Sequence, residues 1–295
     1  MTVYVLTVLY NSAPQLPAFL AGLRTQDHAA WKLIAVDNAS ADNGADLLEA
    51  AGDARICVQR NSANTGFARA TNQALRTAAA SGADLFLLLN NDVELAPDFL
   101  SHLLQAREKL DSQVLAPRIM HADEPGVAWY AGGHLHYEWA FQNVHEPYDP
   151  ADTRTSRPVS FASGCCLLLT RGVLERVGLL DERFFVYWED TDYCLRLNAA
   201  GIRIDYVAEP VLNHHAGASS GGQFSPGYTR LFYRSYIQLL RKHFGLRQAL
   251  RTAARLIARD AGRSNRNTRQ LARMTAAMAR GFVAPTRPTP PLTPR

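Results

Sequence analysis

At 295 residues the chain is long enough to bury a large core, and 47% hydrophobic against 20% charged residues is the composition of a globular protein, not a disordered or fibrous one. No apolar run approaches the roughly 20 residues a membrane-crossing helix requires, and four cysteines without C-x-x-C spacing argue against a disulfide framework or structural zinc. The net charge of +4 hides an asymmetry: from Tyr228 onward 15 Lys and Arg face one acid, Asp260, leaving 16 basic and 26 acidic residues before it.

The start, Met1 to Tyr10, has no basic region or small-residue cleavage site and reads as a first strand, not a signal peptide. After that strand, Thr2 to Leu9, Leu16, Phe19, Leu20 and Leu23 repeat at helical spacing. Trp31 to Val36 is a second strand, with Ala45 to Ala51 as its helix. Arg55 to Gln59 is a third, leading through Asn61 to Phe67 into an alanine-rich helix that ends near Ser81. Leu85 to Leu89 is an apolar run of strand length that stops at Asn90-Asn91-Asp92, and a helix follows near Pro97, capped around Leu95 or Ala96. Strands alternating with helices in this way predict an α/β fold with a mixed, mostly parallel sheet.

Beyond Leu110 the pattern loosens. Gln113 to Ile119 suits a strand, Gly126 to Val144 a hairpin, and Glu146 to Arg157 a surface loop. Cys165 to Leu169 is a strand entered through Ser163-Gly164, and Phe184 to Trp188 is an aromatic run followed by Glu189, Asp190 and Asp192. Ile202 to Val207 is a further strand, and Val211 to Gly222 carries His214 and His215. From Pro226 the pattern is helical, with a second helix over Leu246 to Ile257 placing Arg247, Arg251, Arg255 and Arg259 four apart on one face. The chain divides into 1–225, a basic helical extension over 226–284 and a Pro-rich tail at 285–295 expected to be disordered.

Polar clusters follow three strands, at Asp37-Asn38, Asn64-Thr65-Gly66 and Asn90-Asn91-Asp92. In a parallel sheet all three emerge at one edge, where ligands of open α/β sheets bind. Neither G-x-G-x-x-G nor a Walker loop is present, so a nucleotide here must be held by carboxylates, amides and a metal. Each cluster also has an ordinary reading, as an Asn/Asp turn or a helix cap.

Taken in order, Thr7 to Asn11, Val36 to Asp42, Asn64 to Ala68 with Asn72, Leu89 to Asp92, Trp188 to Asp192, and His214 with Ser219 resemble the successive motifs of glycosyltransferase family 2, most closely its bacterial rhamnosyltransferase branch. The resemblance covers about residues 2 to 222. It implies a GT-A fold, an inverting transfer, a nucleotide-diphosphate sugar donor such as dTDP-L-rhamnose, and Mg²⁺ or Mn²⁺. The acceptor it implies is a glycan or lipid-linked glycan. By the family's motifs Asp37 would bind the base, with Thr7, Tyr10 and Asn11 lining base and ribose and Asn38 beside them. Asn64 and Gly66 would sit near ribose and diphosphate, together with Asn90 and Asn91. Asp92 would ligate the metal with His214 as second ligand. Asp190 of the Glu189-Asp190 pair would be the general base, and Trp188 would stack on a sugar. Asn90 departs from the family's D-x-D pattern and removes one negative charge.

Physical chemistry asks for the same division. An acceptor hydroxyl attacking opposite the leaving diphosphate needs its base on another stretch of chain from the metal ligand. Adjacent His214 and His215 point oppositely in a strand, so one at most faces the metal. The basic extension suits an anionic membrane surface on the cytoplasmic side, and no nucleic-acid-binding motif is present. The rival function is a non-catalytic nucleotide-sugar or carbohydrate-binding protein of the same fold.

Overall fold

The computed structural model of the chain describes residues 1–137, 141–148, 156–215, 225–262 and 268–284. The first half alternates as the periodicity predicts: β1 (Val3–Leu9), α1 (Leu16–Arg24), β2 (Trp31–Asp37), α2 (Gly44–Ala50), β3 (Ile56–Arg60), α3 (Phe67–Ala80) and β4 (Leu85–Leu89). Every residue of β4 is buried, as expected of a strand covered on both faces. Then follow β5 (Val93–Leu95), α4 (Phe99–Leu110), β6 (Val114–His121), β7 (Ala128–Tyr130), β8 (Gly133–Tyr137), β9 (Phe141–His145), β10 (Ser156–Val159), β11 (Cys166–Thr170), α5 (Arg171–Val177), α6 (Glu189–Ala199), β12 (Ile204–His214), α7 (Pro226–Ala261) and α8 (Thr268–Phe282).

The main sheet has the order β10-β12-β6-β11-β4-β1-β2-β3, with β5 on β12 and β7 on β6. Strands β3, β2, β1 and β4 are parallel. β11 runs antiparallel between β4 and β6, and β12 is parallel to β6. One edge of the sheet therefore collects the C-terminal ends of β1, β2, β4, β6 and β12 and the N-terminal end of β11. The registers Leu9↔Asp37, Leu89↔Cys166 and His121↔His214 lie along it.

Several boundaries differ from the sequence reading. α4 starts at Phe99 with Asp98 at its cap position, because Pro97 precedes the helix instead of opening it. Ser156 and Arg157, read as the end of a loop, belong to edge strand β10, where Arg157 pairs with Glu146 at 2.6 Å. The stretch read as Ile202 to Val207 is the start of one long strand whose register shifts between Val207 and Val211. β5 and α5 are too short for periodicity to reveal. Ser219 and the tail at 285–295 lie outside the described residues.

The two C-terminal helices foreseen from the arginine spacing are α7, interrupted at Gly245 (φ 81°, ψ 169°). Its first half docks on α6 through a second hydrophobic cluster that includes Phe184, Trp188, Tyr236, Leu240 and Met278. Beneath the cluster lies a charged joint. Lys242 Nζ sits 2.7 Å from Asp181 Oδ2 and 2.5 Å from Asp192 Oδ1, while His243 Nε2 is 2.7 Å and Arg196 Nε 3.0 Å from the fully buried Asp192. Burial alone would raise the Asp192 carboxyl; His243, Arg196 and Lys242 outweigh it and hold the group down at about 2.

A carboxyl held below its ordinary 3.8 stabilises the fold fully above that value and loses the contribution as pH falls through about 2. Asp192→Asn removes the buried carboxylate that Lys242, Arg196 and His243 share and should cost about 3 kcal/mol, lowering the melting midpoint by about 6 °C or more at neutral pH. Urea titrations between about pH 4 and 2 should show the gap to wild type closing; a gap independent of pH would exclude the ion network as its source.

Candidate active site

On the β1 and β2 side, the loops are stitched to each other before any ligand arrives. Asn11, at φ 52°, accepts from the Ala41 amide at 2.7 Å, and its own amide donates to Ser40 Oγ at 3.0 Å. Asn38 donates to Asn64 Oδ1 (2.9 Å) and the Gly66 carbonyl (3.2 Å), while its Oδ1 accepts from Thr65 N (2.9 Å), Thr65 Oγ1 (3.0 Å) and Asn61 Nδ2 (3.1 Å). An amide that saturated is a bolt between loops, and it leaves nothing for a nucleotide. Asp37 differs. Its carboxylate receives one long bond, from Ser40 N at 3.3 Å, and Tyr10 beside it is 43% exposed.

The triplet after β4 also divides. Asn91 is buried and turned inward, donating to the Val8 carbonyl at 2.8 Å and to Thr7 Oγ1 at 3.4 Å. Thr7 thus lies beneath the site floor, and neither residue lines the base pocket foreseen for Thr7. Asn90 is anchored by its backbone, donating to the Cys165 carbonyl at 2.9 Å. Asp92 meets His214 at the same sheet edge, with Oδ1 3.2 Å from Nε2 and both side chains buried. The pair is close without hydrogen-bond alignment, and Asp92 Oδ1 and His214 Nδ1 are both buried polar atoms without a hydrogen-bond partner. His215 turns the other way, to Glu94 at 3.0 Å, as strand alternation requires.

The carboxylate oxygen Asp92 Oδ1 and the imidazole nitrogen His214 Nε2 that faces it, 3.2 Å apart and not hydrogen-bonded to each other, are a hard oxygen and a nitrogen that fit a divalent cation taking its remaining ligands from a diphosphate. Among the described residues no group of three or more His, Cys, Asp or Glu could hold a metal without such help. A cavity of about 450 Å³ opens beside the pair, lined by Pro14, Gln15, Ala18, Asn91, Asp92, Glu94, Asp123 and His215.

Asp190 reaches this edge from α6. Its Oδ2 accepts from Gly164 N at 3.2 Å, and Gly164 adjoins the Cys165 whose carbonyl holds Asn90. Oδ1 accepts from Thr191 N (2.6 Å) and Thr191 Oγ1 (3.1 Å). The carboxyl is pushed up by burial, against those hydrogen bonds and the nearby His145. Glu189 is buried with Oε2 unpartnered, and burial followed by the Asp190 charge raises it to about 8. The three acids lie in the first turn of α6, and the cap position before them is Trp188, which makes no side-chain cap hydrogen bond.

Tyr187 (φ 67°) and Trp188 (φ 70°) are both left-handed just before the acidic pair, a conformation that costs bulky residues about 1–3 kcal/mol each. α7 imposes it: Ser235 Oγ donates to the Val186 carbonyl at 2.9 Å, and the Trp188 ring packs on Tyr236 and Phe232 at 4.6 and 5.1 Å. Trp188, foreseen as a sugar platform, is thereby core. The residue sequence reasoning missed is Trp129. Its ring lies 4.8 Å from that of His214 and 5.6 Å from that of His145, between the Asp92-His214 pair and the hairpin strand β9, and no spacing rule marks it.

Gly66 joins the two sides. At φ 88°, ψ 165° it occupies a region open only to glycine, and a Cβ there would stand 2.5 Å from the Phe185 carbonyl, which accepts from Phe67 N at 2.6 Å. Asn72 adds a second clasp, exchanging hydrogen bonds with the Leu180 carbonyl (2.8 Å) and amide (3.0 Å).

The family described as Glycosyl transferase family 2 matches residues 4–178. An N-acetylglucosaminyl-diphospho-decaprenol L-rhamnosyltransferase of Mycobacterium tuberculosis is 27% identical over 303 residues, spanning 89% of this chain and 94% of that protein. The dTDP-rhamnosyl transferase RfbF of Shigella flexneri is 24% identical over 223 residues, spanning 74% and 70%. Among solved structures, S. aureus TarS 1–349 in complex with UDP-GlcNAc superposes with a TM-score of 0.62 at 14% identity, covering 96% of this chain and 81% of that one. The mannosyltransferase PcManGT from Pyrobaculum calidifontis, in complex with GDP-Man and Mn²⁺, gives 0.59 at 16%, covering 95% and 86%. The fold is GT-A.

Gly66→Ala should therefore destabilise the protein by about 2 kcal/mol or more, because the new methyl must displace the Phe185 carbonyl and the backbone must leave its glycine-only region. Denaturant unfolding reads the loss; a cost below about 0.5 kcal/mol, the size of an ordinary surface change, would mean the clasp is not tight.

Proposed function

The chain belongs to glycosyltransferase family 2, and from that premise we propose that it is an inverting transferase with Asp190 as general base. It moves a sugar from a nucleotide-diphosphate donor to a hydroxyl of a glycan or lipid-linked glycan. The observation that carries the reading is the pair of adjacent backbone contacts, Gly164 N to Asp190 Oδ2 and Cys165 O from Asn90 N, which set a basic carboxylate beside the Asn90-Asn91-Asp92 triplet. In the transfer, the acceptor hydroxyl gives its proton to Asp190 while its oxygen pair forms the new bond to the anomeric carbon. The bond to the diphosphate breaks on the opposite face, and its electron pair leaves with the nucleoside diphosphate. Burial raises the basicity of Asp190 toward what proton abstraction near neutral pH needs.

Asp37 is the open carboxylate for the base, with Tyr10 and Asn11 beside it, and Asn64 and Asn90 remain near the ribose and diphosphate. Asp92 and His214 would hold Mg²⁺ or Mn²⁺, whose charge would neutralise the leaving diphosphate. The reading of dTDP-L-rhamnose as donor is supported by the names of the two rhamnosyltransferase relatives, and a diphosphate-linked lipid acceptor by that of the mycobacterial one. The chain works at the cytoplasmic face of the membrane as a peripheral protein. No helix among the described residues is long and apolar enough to cross a membrane. Past Gly245, Leu246 and Leu250 are 56% and 51% exposed and alternate with exposed Arg247 and Arg251, apolar and cationic groups together as an anionic lipid surface asks.

Release of nucleoside diphosphate from a panel of activated sugars with lipid-linked acceptors is the direct measurement. dTDP-L-rhamnose should give the fastest release, and Asp190→Asn should slow it by about 10²–10⁴-fold. Release unaffected by the substitution removes Asp190 from the chemistry; donor binding without release from any sugar supports the binding-protein reading instead. Sedimentation with anionic vesicles should exceed that with neutral ones at low salt and fall in Leu246→Ser/Leu250→Ser, and equal sedimentation with both lipids would refute docking by charge.

A further inference from the structure

Resting on the reading of Asp190 as base, we infer that Thr191 and Asn143 form a positioning relay that orients the Asp190 carboxylate, sets its basicity and leaves Oδ2 as the oxygen that takes the acceptor's proton. Thr191 is fully buried, and its hydroxyl has a single proton to place. Asn143 Nδ2 donates to Thr191 Oγ1 at 3.2 Å, so the hydroxyl proton is left for Asp190 Oδ1, 3.1 Å away. The Thr191 amide reaches the same oxygen at 2.6 Å. Both lone-pair sites of Oδ1 are then filled, whereas among the described residues Oδ2 accepts only the Gly164 amide, at 3.2 Å, and keeps one site for the acceptor's proton.

The relay begins outside α6. Asn143 stands on β9, paired with β8 in a hairpin separate from the main sheet, and shares its strand face with His145. A shift of that hairpin is therefore transmitted to the base through two hydrogen bonds. The charged and titratable groups around Asp190 are Glu189, Asp192 and Cys194 on its own helix and His145 on β9. Asp192 is already committed to Lys242, His243 and Arg196. The Gly164 segment contributes an amide and no charge. Hydrogen bonds to a carboxylate favour its ionised form and here oppose burial. Removing the threonine hydroxyl must raise the pKa of the base, so activity is lost at a higher pH on the acid side.

The test is the pH dependence of kcat for wild type, Thr191→Val, Thr191→Ser and Asn143→Ala, with Asp190→Asn as reference. Thr191→Val should move the acid limb up by about one pH unit, the scale of one hydrogen bond to a charged group. Thr191→Ser should restore the limb, and Asn143→Ala should move it in the same direction by less. Should the valine not fold, the hairpin variant carries the test alone. An acid limb that stays put in the folded variants while Asp190→Asn is inactive overturns the relay. Turnover retained by Asp190→Asn overturns the base assignment itself.

Discussion

Two successive residues hold the two halves of the site together. Gly164 gives its amide to Asp190 and Cys165 gives its carbonyl to Asn90, so Asp190, the proposed base, and the Asn90-Asn91-Asp92 triplet hang on adjacent peptide units. Consecutive Cα atoms are about 3.8 Å apart, which limits how far the two groups can separate. This follows from running β11 antiparallel between β4 and β6: an antiparallel strand enters the sheet where its parallel neighbours leave it. The approach is close: a Cβ on Gly164 would lie 3.4 Å from that of Asp190, at van der Waals contact.

Around that junction the polar residues fall into two populations with opposite economies. Asn38, Asn64, Asn72, Asn91 and Thr7 spend their hydrogen-bonding capacity on other parts of the chain, closing loops that would otherwise bury unpaired backbone groups. Asp37, Asp92 and His214 retain unspent capacity, and all three keep it while buried. An unpaired polar atom away from water is costly, so a fold that tolerates Asp92 Oδ1 unpaired and 3.2 Å from His214 Nε2 is poised for a ligand that pairs it. The missing charge at Asn90 is less consequential in this light, since Asn90 acts through its backbone amide while Asp92 supplies the carboxylate.

How much of this could be read in advance depended on whether the signal was local. The β-α alternation, the apolar β4 run and the break that splits the C-terminal helix were legible because periodicity records which face of each element is buried. Asp92 meeting His214, and Asp190 arriving at the same edge, were legible only through resemblance, for the contacts span long sequence separations. What stayed hidden is the distinction between a polar side chain that binds and one that builds. Asn38 and Asp37 are neighbours of similar size, and composition cannot say that the first is saturated by Thr65, Asn61 and Gly66 while the second is open. Trp188 was misjudged for the same reason: its ring turns to α7, whose packing on residues 186–188 has no signature before that helix begins.

The C-terminal helices are thus not an appendage to the catalytic body. Their first half supplies Ser235, Phe232 and Tyr236, which force Tyr187 and Trp188 into left-handed backbone, and Lys242, which neutralises Asp181 and Asp192 under α6. Strain of that kind persists only where packing over-determines it, so the approach of Asp190 to Gly164 depends on α7 remaining docked. Beyond Gly245 the helix turns to a different task, with Leu246 and Leu250 exposed among arginines. A single glycine with a positive φ separates the half that packs on residues 186–188, next to Asp190, from the half that exposes Leu246 and Leu250, so both halves belong to one element in contact with the Asp190 segment.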